Sequence, residues 1–313
     1  MLEFVSNKEV SKEPLCFFIF HKKEDMIMKK NILKKLVVSG VVISMIAGLA
    51  GCGKAKQEDK ENEMYTLRIA MECAYAPFNW TQTDDSNGAV PIAGSSDYVN
   101  GYDILVAKKI CDYNGWNLEV YKAEWDSIIL GLQSNKYDAI MSGMLITDER
   151  KQAVNFTVPY YTAKDCLLVK KDSPFAGITS LDEAAGSSMV TQCDTMWDSA
   201  YIDQVKDVKH VTPLVTVPEI IVAVQSGKAD FGLLDTPSCM SACSTNPDLS
   251  YIEFEDGKGF TLPEGQSNDM GIAVRKEDEE VLNKINEALA DFDETMKAEY
   301  MQKAIDIQPA NAE

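Results

Sequence analysis

Histidine is almost absent from this 313-residue chain, with only His21 and His210. That scarcity excludes a His-rich metal centre, because metal sites need three or four ligands at set spacing. Basic side chains are also in short supply, 30 Lys+Arg against 49 Asp+Glu, for a formal charge of −19. The deficit speaks against nucleic acid as a partner, since that binding draws on Lys and Arg neutralising phosphates. The apolar segment at 36–50 falls short of the roughly 20 residues of a membrane span. The eight cysteines show no regular spacing, which argues against the disulfide framework of small secreted modules. What remains, 45% hydrophobic and 25% charged residues, is the composition of a globular chain, and the length suggests about two domains.

The segment LVVSGVVISMIAGLA at 36–50 follows Lys29, Lys30, Lys34 and Lys35. A basic stretch, then an apolar run, then small residues has the layout of a secretory signal peptide. It ends Leu49-Ala50-Gly51-Cys52, which resembles a bacterial lipobox and makes Cys52 the expected lipid attachment site. Residues 1–27 are mixed in charge, unlike a signal peptide, so translation is expected to start at Met28. GLAGCGKA at 48–55 nearly matches a phosphate-binding loop. Ala55 stands where Ser or Thr would ligate Mg²⁺, and no strand–helix context surrounds it, so it is a false positive. Residues 52–313 carry 22 basic and 44 acidic side chains, a net −22. Residues 53–63 are polar and charged and read as a tether.

Beyond the tether, strand-like runs alternate with helical patterns. Strands are expected at 66–71, 118–124, 137–144, 165–171, 188–193, 208–214 and 229–235. Helices are expected at 102–111, 127–134, 195–205 and 218–226, with a long helical region at 277–305. This alternation argues for α/β domains with largely parallel sheets, whose ligands sit beyond the carboxyl ends of the strands. Of the cysteines left in this region, Cys73, Cys111, Cys166, Cys193, Cys239 and Cys243, the last two share one helical face at i, i+4. They could be a pair, half a metal site with His210, or packing; packing is favoured because no CxxC or HxxxH lies near.

The strand ends carry the chemistry. After the first come Glu72, Tyr75, Pro77, Phe78 and Trp80; after the second, Trp125 and Asp126. After the third come Ser142, Gly143, Leu145 and Arg150, and later ends carry Asp194, Thr195 and Asp235. Singly, each has a bland structural reading: loop aromatics pack locally, Asp194 and Asp235 cap helices, and Arg150 makes a surface ion pair. Together they suit a small zwitterion. Arg offers a fork to an α-carboxylate, Asp accepts from an α-ammonium, and aromatic faces cover an apolar or cationic side chain.

The segments YAPFNW (75–80), GYDILVAKKI (101–110), WDSIILGLQSNKYDAIMSGMLITDERKQAVNFTVPYY (125–161), MVTQCDT (189–195), GKADFGLLD (227–235) and MGIAVRKED (270–278) resemble the extracellular solute-binding family 3 of polar amino-acid ABC importers. The resemblance covers essentially 64–305. It implies a two-lobe, type II periplasmic-binding-protein-like fold, each lobe a mostly parallel sheet flanked by helices. Lobe 1 is expected at 64–164 plus 268–305 and lobe 2 at 165–267, with a tail at 306–313. By the same resemblance Arg150 would clamp the α-carboxylate, helped by the Leu145 N–H and Thr195. Asp235 and the Gly143 carbonyl would take the α-ammonium, and Tyr75 and Trp125 would sandwich the side chain. Ser142 and Asp194 complete the expected site, and Glu72 matches a position where relatives that bind basic amino acids carry Asp. Leu145 stands where the family usually has Ser or Thr, and Asp194 replaces a usual Gly. The loop at 81–100, with Asp84, Asp85 and Asp97, is longer than in most relatives.

The implied function is capture and delivery: a lipid-anchored monomer on the extracellular face of the membrane, passing an amino acid to an ABC permease. It implies no catalytic residue, no cofactor and no nucleic acid. A basic ligand (Lys, Arg, ornithine or His) is favoured over a neutral polar or sulfur-containing one such as cystine, and over an acidic one. A lipid-anchored sensor, a prephenate- or arogenate-dehydratase-like enzyme on the same fold, and a metal carrier using His210, Cys239 and Cys243 are the rival readings.

Overall fold

The computed structural model describes residues 64–309. The expected signal peptide, Cys52, the tether and the last four residues lie outside them. Two five-stranded sheets organise the chain. In the first, Thr66–Met71 lies between Asn117–Lys122 and Ala139–Ile140, parallel to both. Ala273–Val274 then pairs antiparallel with Ala139–Ile140 and with Asn155–Phe156. In the second, the order is Lys209–His210, Ser188–Val190, Phe231–Asp235, Asp165–Lys170 and Leu249–Ile252. The first three of these run parallel, and Asp165–Lys170 is antiparallel to both of its neighbours.

Both sheets are thus largely parallel, as expected, with one strand in each, Ala273–Val274 or Asp165–Lys170, running against the other four. The reason for the reversed strand is the route of the chain, which passes from the first sheet to the second and back. Asp165–Lys170 on the way out and Ala273–Val274 on the way back each enter their sheet against the direction of the other strands. The passages themselves pair: Tyr161–Thr162 runs antiparallel to Asp269–Met270, with Thr162 opposite Asp269 and Tyr161 opposite Met270. Strands at the sheet centres read as apolar runs because they are covered on both faces; Phe231–Asp235 is buried at every position.

Helix ends follow local chemistry. Tyr102–Asn114 stops at Gly115, whose left-handed φ of 65° lets its N–H close on the Cys111 carbonyl, a conformation that glycine adopts at no steric cost. Val217–Gln225 starts with a capping box, Thr216 to the Glu219 amide and the Glu219 side chain back to the Thr216 amide. It buries Val217, Ile220, Ala223 and Val224, the spacing of one helical face.

Several elements differ from expectation. The region 277–305 is two helices, Glu279–Leu289 and Glu294–Ile307. Asp293 is extended and caps the second through the Met296 amide at 2.9 Å, while buried Phe292 turns into the core. The stretch at 195–205 is a π-helical turn, Trp197–Tyr201, followed by a 3₁₀ turn, Ile202–Gln204. The 81–100 loop contains Val90–Pro91 and Tyr98–Asn100, which join Ala74–Tyr75 and Asn79–Gln82 in a four-stranded antiparallel sheet. Thr236–Thr245 is a helix; Pro237 hides it in the sequence, although proline is favoured in a first turn. Cys239 is buried on that helix and Cys243 half-buried. Among the described residues no helix is long and apolar enough to cross a membrane.

Candidate ligand-binding site

Loops from the carboxyl ends of both sheets meet around a narrow cleft. From the first sheet it is lined by Glu72, Tyr75, Trp125, Gly143, Leu145 and Arg150. Gln192, Thr195 and Trp197 line it from the second, and Met270 from the returning passage.

Glu72 follows the central strand of the first sheet, and its N–H donates to Ser142 Oγ at 3.1 Å. Its carboxylate is buried. Both oxygens accept from Gln192 Nε2, at 3.2 and 3.3 Å, and that amide also donates to the Val215 carbonyl at 2.8 Å. Glu72 makes no ion pair among the described residues. Burial, opposed by the Gln192 bond, pushes its carboxyl up to about 7.

Arg150 sits in the short helix Asp148–Ala153, capped by Thr147. Its guanidinium donates from Nη1 to the Leu145 carbonyl at 2.9 Å and from Nη2 to the Asp194 carbonyl at 3.0 Å. It lies over the Trp125 ring, 5.1 Å from the centroid, a cation–π arrangement. Burial pulls it down to about 10, so it stays charged at neutral pH. Among the described residues it pairs with no carboxylate.

Tyr75 and Asp235 are joined across the cleft. The Tyr75 hydroxyl donates to Asp235 Oδ2. Asp235 also caps Thr236–Thr245, accepting the Ser238 amide at 2.8 Å and the Ser238 hydroxyl at 3.0 Å. Asp235 is fully buried and, unlike Tyr75, lies off the cleft lining. Desolvation pushes both groups up from their ordinary values.

Gly143 has a φ of 57°, and its N–H donates to the Tyr160 hydroxyl at 3.0 Å. Tyr160 donates in turn to Asp103 Oδ1 at 2.7 Å, while Asn79 Nδ2 donates to Asp103 Oδ2 at 2.8 Å. Burial pushes Asp103 up to about 7. This buried network fixes the floor beneath Gly143. A Cβ at 143 would lie 2.4 Å from the Tyr75 ring. Gly143→Ala is therefore expected to lower the unfolding free energy by about 2 kcal/mol or more, from left-handed strain plus overpacking. Urea denaturation of the variant checks this, and an unchanged midpoint would contradict the close approach.

The expected site residues divide on inspection. Glu72, Tyr75, Trp125, Gly143, Leu145, Arg150 and Thr195 are brought together on the cleft. Ser142 lies behind it, buried, accepting the Glu72 amide. Asp194 is exposed and contributes its carbonyl to Arg150, while its side chain does not line the cleft. Its φ of 56° explains the residue type, since Asp tolerates the left-handed region better than most. Thr195 Oγ1 donates to the Gln192 carbonyl at 2.8 Å. Gln192, Trp197 and Met270 were not expected. Gln192 stands just past Ser188–Val190, a strand that ends three residues earlier than the expected 188–193.

Among the described residues no group of three or more His, Cys, Asp or Glu is placed to hold a metal. Cys73, Cys111, Cys166, Cys239 and Cys243 are free thiols. His210 is exposed and pairs with Asp203 at 3.1 Å.

Residues 67–304 match the bacterial extracellular solute-binding proteins, family 3. The chain is 25% identical over 279 residues to the arginine-binding extracellular protein ArtP of Bacillus subtilis (strain 168), covering 87% of this chain and 97% of that one. It is 24% identical over 276 residues to the L-cystine-binding protein TcyJ of Escherichia coli (strain K12), covering 87% and 96%. In structure it is similar to an amino acid ABC transporter substrate-binding protein from Streptococcus pneumoniae Canada MDR_19A bound to L-arginine. The TM-score is 0.66 at 26% identity, covering 78% of this chain and 95% of the other. The fold is that of the type II periplasmic binding proteins, two α/β lobes with the cleft between them.

Proposed function

The chain belongs to the bacterial extracellular solute-binding proteins, family 3, and we propose that it captures a basic amino acid, L-arginine foremost, for an ABC importer. The observation that carries this reading is Glu72, a buried carboxylate on the cleft wall whose oxygens, among the described residues, meet only the Gln192 amide. A carboxylate taken out of water without a cation is costly. A ligand's side-chain cation would supply the missing partner. At the α-carboxylate end stands Arg150, a cation held by two carbonyls and the Trp125 ring and, among the described residues, paired with no carboxylate.

Binding works through the two lobes. Gln192 to Glu72, Tyr75 to Asp235 and Arg150 to the Asp194 carbonyl all cross the cleft. A ligand held by groups from both sides favours closure, because only the closed arrangement presents both sets. In this reading Arg150, the Leu145 N–H and Thr195 receive the α-carboxylate, and the Gly143 carbonyl and Asp235 side receive the α-ammonium. Because Asp235 is already held by Tyr75 and Ser238, the ammonium would enter by taking over the Tyr75 bond. Trp125 and Tyr75 flank the side chain. The chain would act as a monomer, anchored through Cys52 on the outer face of the membrane, and hand its ligand to a permease with no chemistry performed on it.

A neutral ligand, a sulfur-containing amino acid included, is the second reading. It is favoured by the rise of the Glu72 carboxyl to about 7, which leaves a substantial neutral fraction near pH 7. A thermal-shift series on the purified protein separates the two. At a hundred times Kd a ligand raises apparent stability by about 2.7 kcal/mol. L-Arginine is expected to shift the transition more than L-glutamine, L-cystine or L-aspartate at equal concentration. A larger shift with glutamine or cystine would reverse the order of the readings, and none with any amino acid would refute both.

A further inference from the structure

The passages between the lobes hold a carboxylate that the proposed ligand contacts leave unused. Asp165 opens the strand Asp165–Lys170, just after Tyr161–Thr162, the first half of the connecting pair. Its Oδ1 accepts the Trp197 indole N–H at 2.8 Å, and its Oδ2 accepts the Asn268 amide at 2.8 Å. Asn268 stands immediately before Asp269–Met270, the second half of that pair. The Asn268 side-chain oxygen accepts the Tyr201 hydroxyl at 3.1 Å, and its backbone carbonyl accepts the Ala163 amide at 3.1 Å. One half-buried carboxylate therefore joins a buried aromatic wall of the cleft to both strands that connect the lobes.

Each bond has a physical reason. The indole N–H is a donor that needs a partner when its ring is buried, and Trp197 is buried at the start of an irregular turn. Hinge motion is absorbed by a few residues at element ends, and Asp165 and Asn268 occupy such positions on the two passages. Met270, which also lines the cleft, lies on the second passage itself. A change at the Trp197 wall thus meets the connecting strands through Asp165 and Asn268, with Tyr201 of the same turn bonded to Asn268 as well.

We infer that Asp165 is a positioning residue for ligand capture: it sets the Trp197 indole as a wall of the cleft and ties that wall to the paired connecting strands. The inference rests on the cleft being the amino-acid site, and its test has an arm that does not. In Asp165→Asn the amide oxygen still receives the indole N–H, but its NH₂ meets that of Asn268, which can accept it only by turning over and giving up the bond it takes from the Tyr201 hydroxyl. In the exchanged pair, Asp165→Asn with Asn268→Asp, the amide introduced at position 165 would donate to a carboxylate at position 268 that still accepts from Tyr201, and net charge is kept.

The experiment compares wild type, the single variant and the exchanged pair as full-length purified proteins. In the free proteins, the Trp197 indole resonance (assigned by its loss in Trp197→Phe) and hydrogen exchange of the Ala163 amide are recorded. The single variant is expected to shift the indole resonance and speed Ala163 exchange about tenfold or more, and the exchanged pair to restore both. With L-arginine as probe, the single variant should bind about tenfold more weakly, through faster release, and the exchanged pair within about threefold of wild type. An unmoved indole and unmoved exchange in the single variant would overturn the inference, as would an exchanged pair no better than the single variant. Arginine affinity unchanged in the single variant overturns the role in capture. A wild type that binds no L-arginine defeats the ligand proposal instead, and the free-protein arm then decides whether Asp165 ties the wall to the strands.

Discussion

Arg150→Ala should reduce L-arginine affinity by two orders of magnitude or more while the ligand-free protein stays folded. The guanidinium is charged at neutral pH even with its value pulled down to about 10. Removing one member of a desolvated charge pair costs about 2–5 kcal/mol, much of it for stranding the other charge, here the ligand's own carboxylate. Folding loses two hydrogen bonds from a charged donor to the Leu145 and Asp194 carbonyls, each worth about 1.5–3 kcal/mol, a loss partly offset by relief of the buried cation's desolvation. For a chain of this size the remainder is a fall of several degrees in Tm. Arg150→Lys keeps the charge without the planar fork that spans two acceptors, so it should fall between the two proteins. Calorimetric titration together with thermal melts decides the matter. Unchanged affinity in the alanine variant would remove the carboxylate clamp from the proposed site, and a collapsed melt would show Arg150 to be part of the fold instead.

How much of this arrangement was legible in the sequence depends on the distance over which each residue finds its partners. Glu72, Trp125 and Arg150 are readable because strand–helix alternation puts strand ends on one side of a sheet, and that rule needs only local periodicity. Asp235 obeys the same rule, yet it is turned away from the cleft lining by Ser238, three residues on, and by Tyr75, 160 positions back. The first partner is a local cap that sequence can suggest. The second exists only once the lobes are assembled. Gln192 is the converse case: its place at a strand end shows only once the strand is known to stop at Val190, and its meaning comes from Glu72, 120 positions away. The one reversed strand in each sheet was hidden for a related reason: Ala273–Val274 carries too few residues to show a period, and the sense of Asp165–Lys170 is set by partners far along the chain, Phe231–Asp235 and Leu249–Ile252. The break at Asp293 was visible as an acidic residue three positions ahead of Met296, but the apolar pattern continues through Phe292 and masks it.

Glu72→Gln should have opposite effects on ligand binding and on the free protein. An isolated carboxyl of this kind titrates near 4.5, and in the fold it is raised to about 7 by burial. Between those values the folded chain keeps a proton that the unfolded chain has released, so unliganded stability falls as pH rises through that window. The glutamine variant lacks this dependence. Its stability advantage over wild type should be absent below about pH 4.5, grow up to about pH 7 and then level off, reaching on the order of 2–3 kcal/mol. Asp103 is raised to the same range but is present in both proteins, so the difference between them isolates Glu72. Ligand affinity should run the other way. L-Arginine binding to wild type should strengthen up to tenfold per pH unit below about 7, because a cationic side chain requires the ionised carboxylate, and then flatten. In the variant it should be about a hundredfold weaker and independent of pH between 5 and 8. L-Glutamine, with no cation to place there, should lose less than about threefold on the scale of a single neutral hydrogen bond. Equal losses for arginine and glutamine would mean that Glu72 does not read a cation, and a flat wild-type profile would mean that its proton is not linked to binding. On the proposed reading, the destabilisation that the buried Glu72 carboxylate imposes on the free protein is the energy that a cationic ligand would recover on entering the cleft.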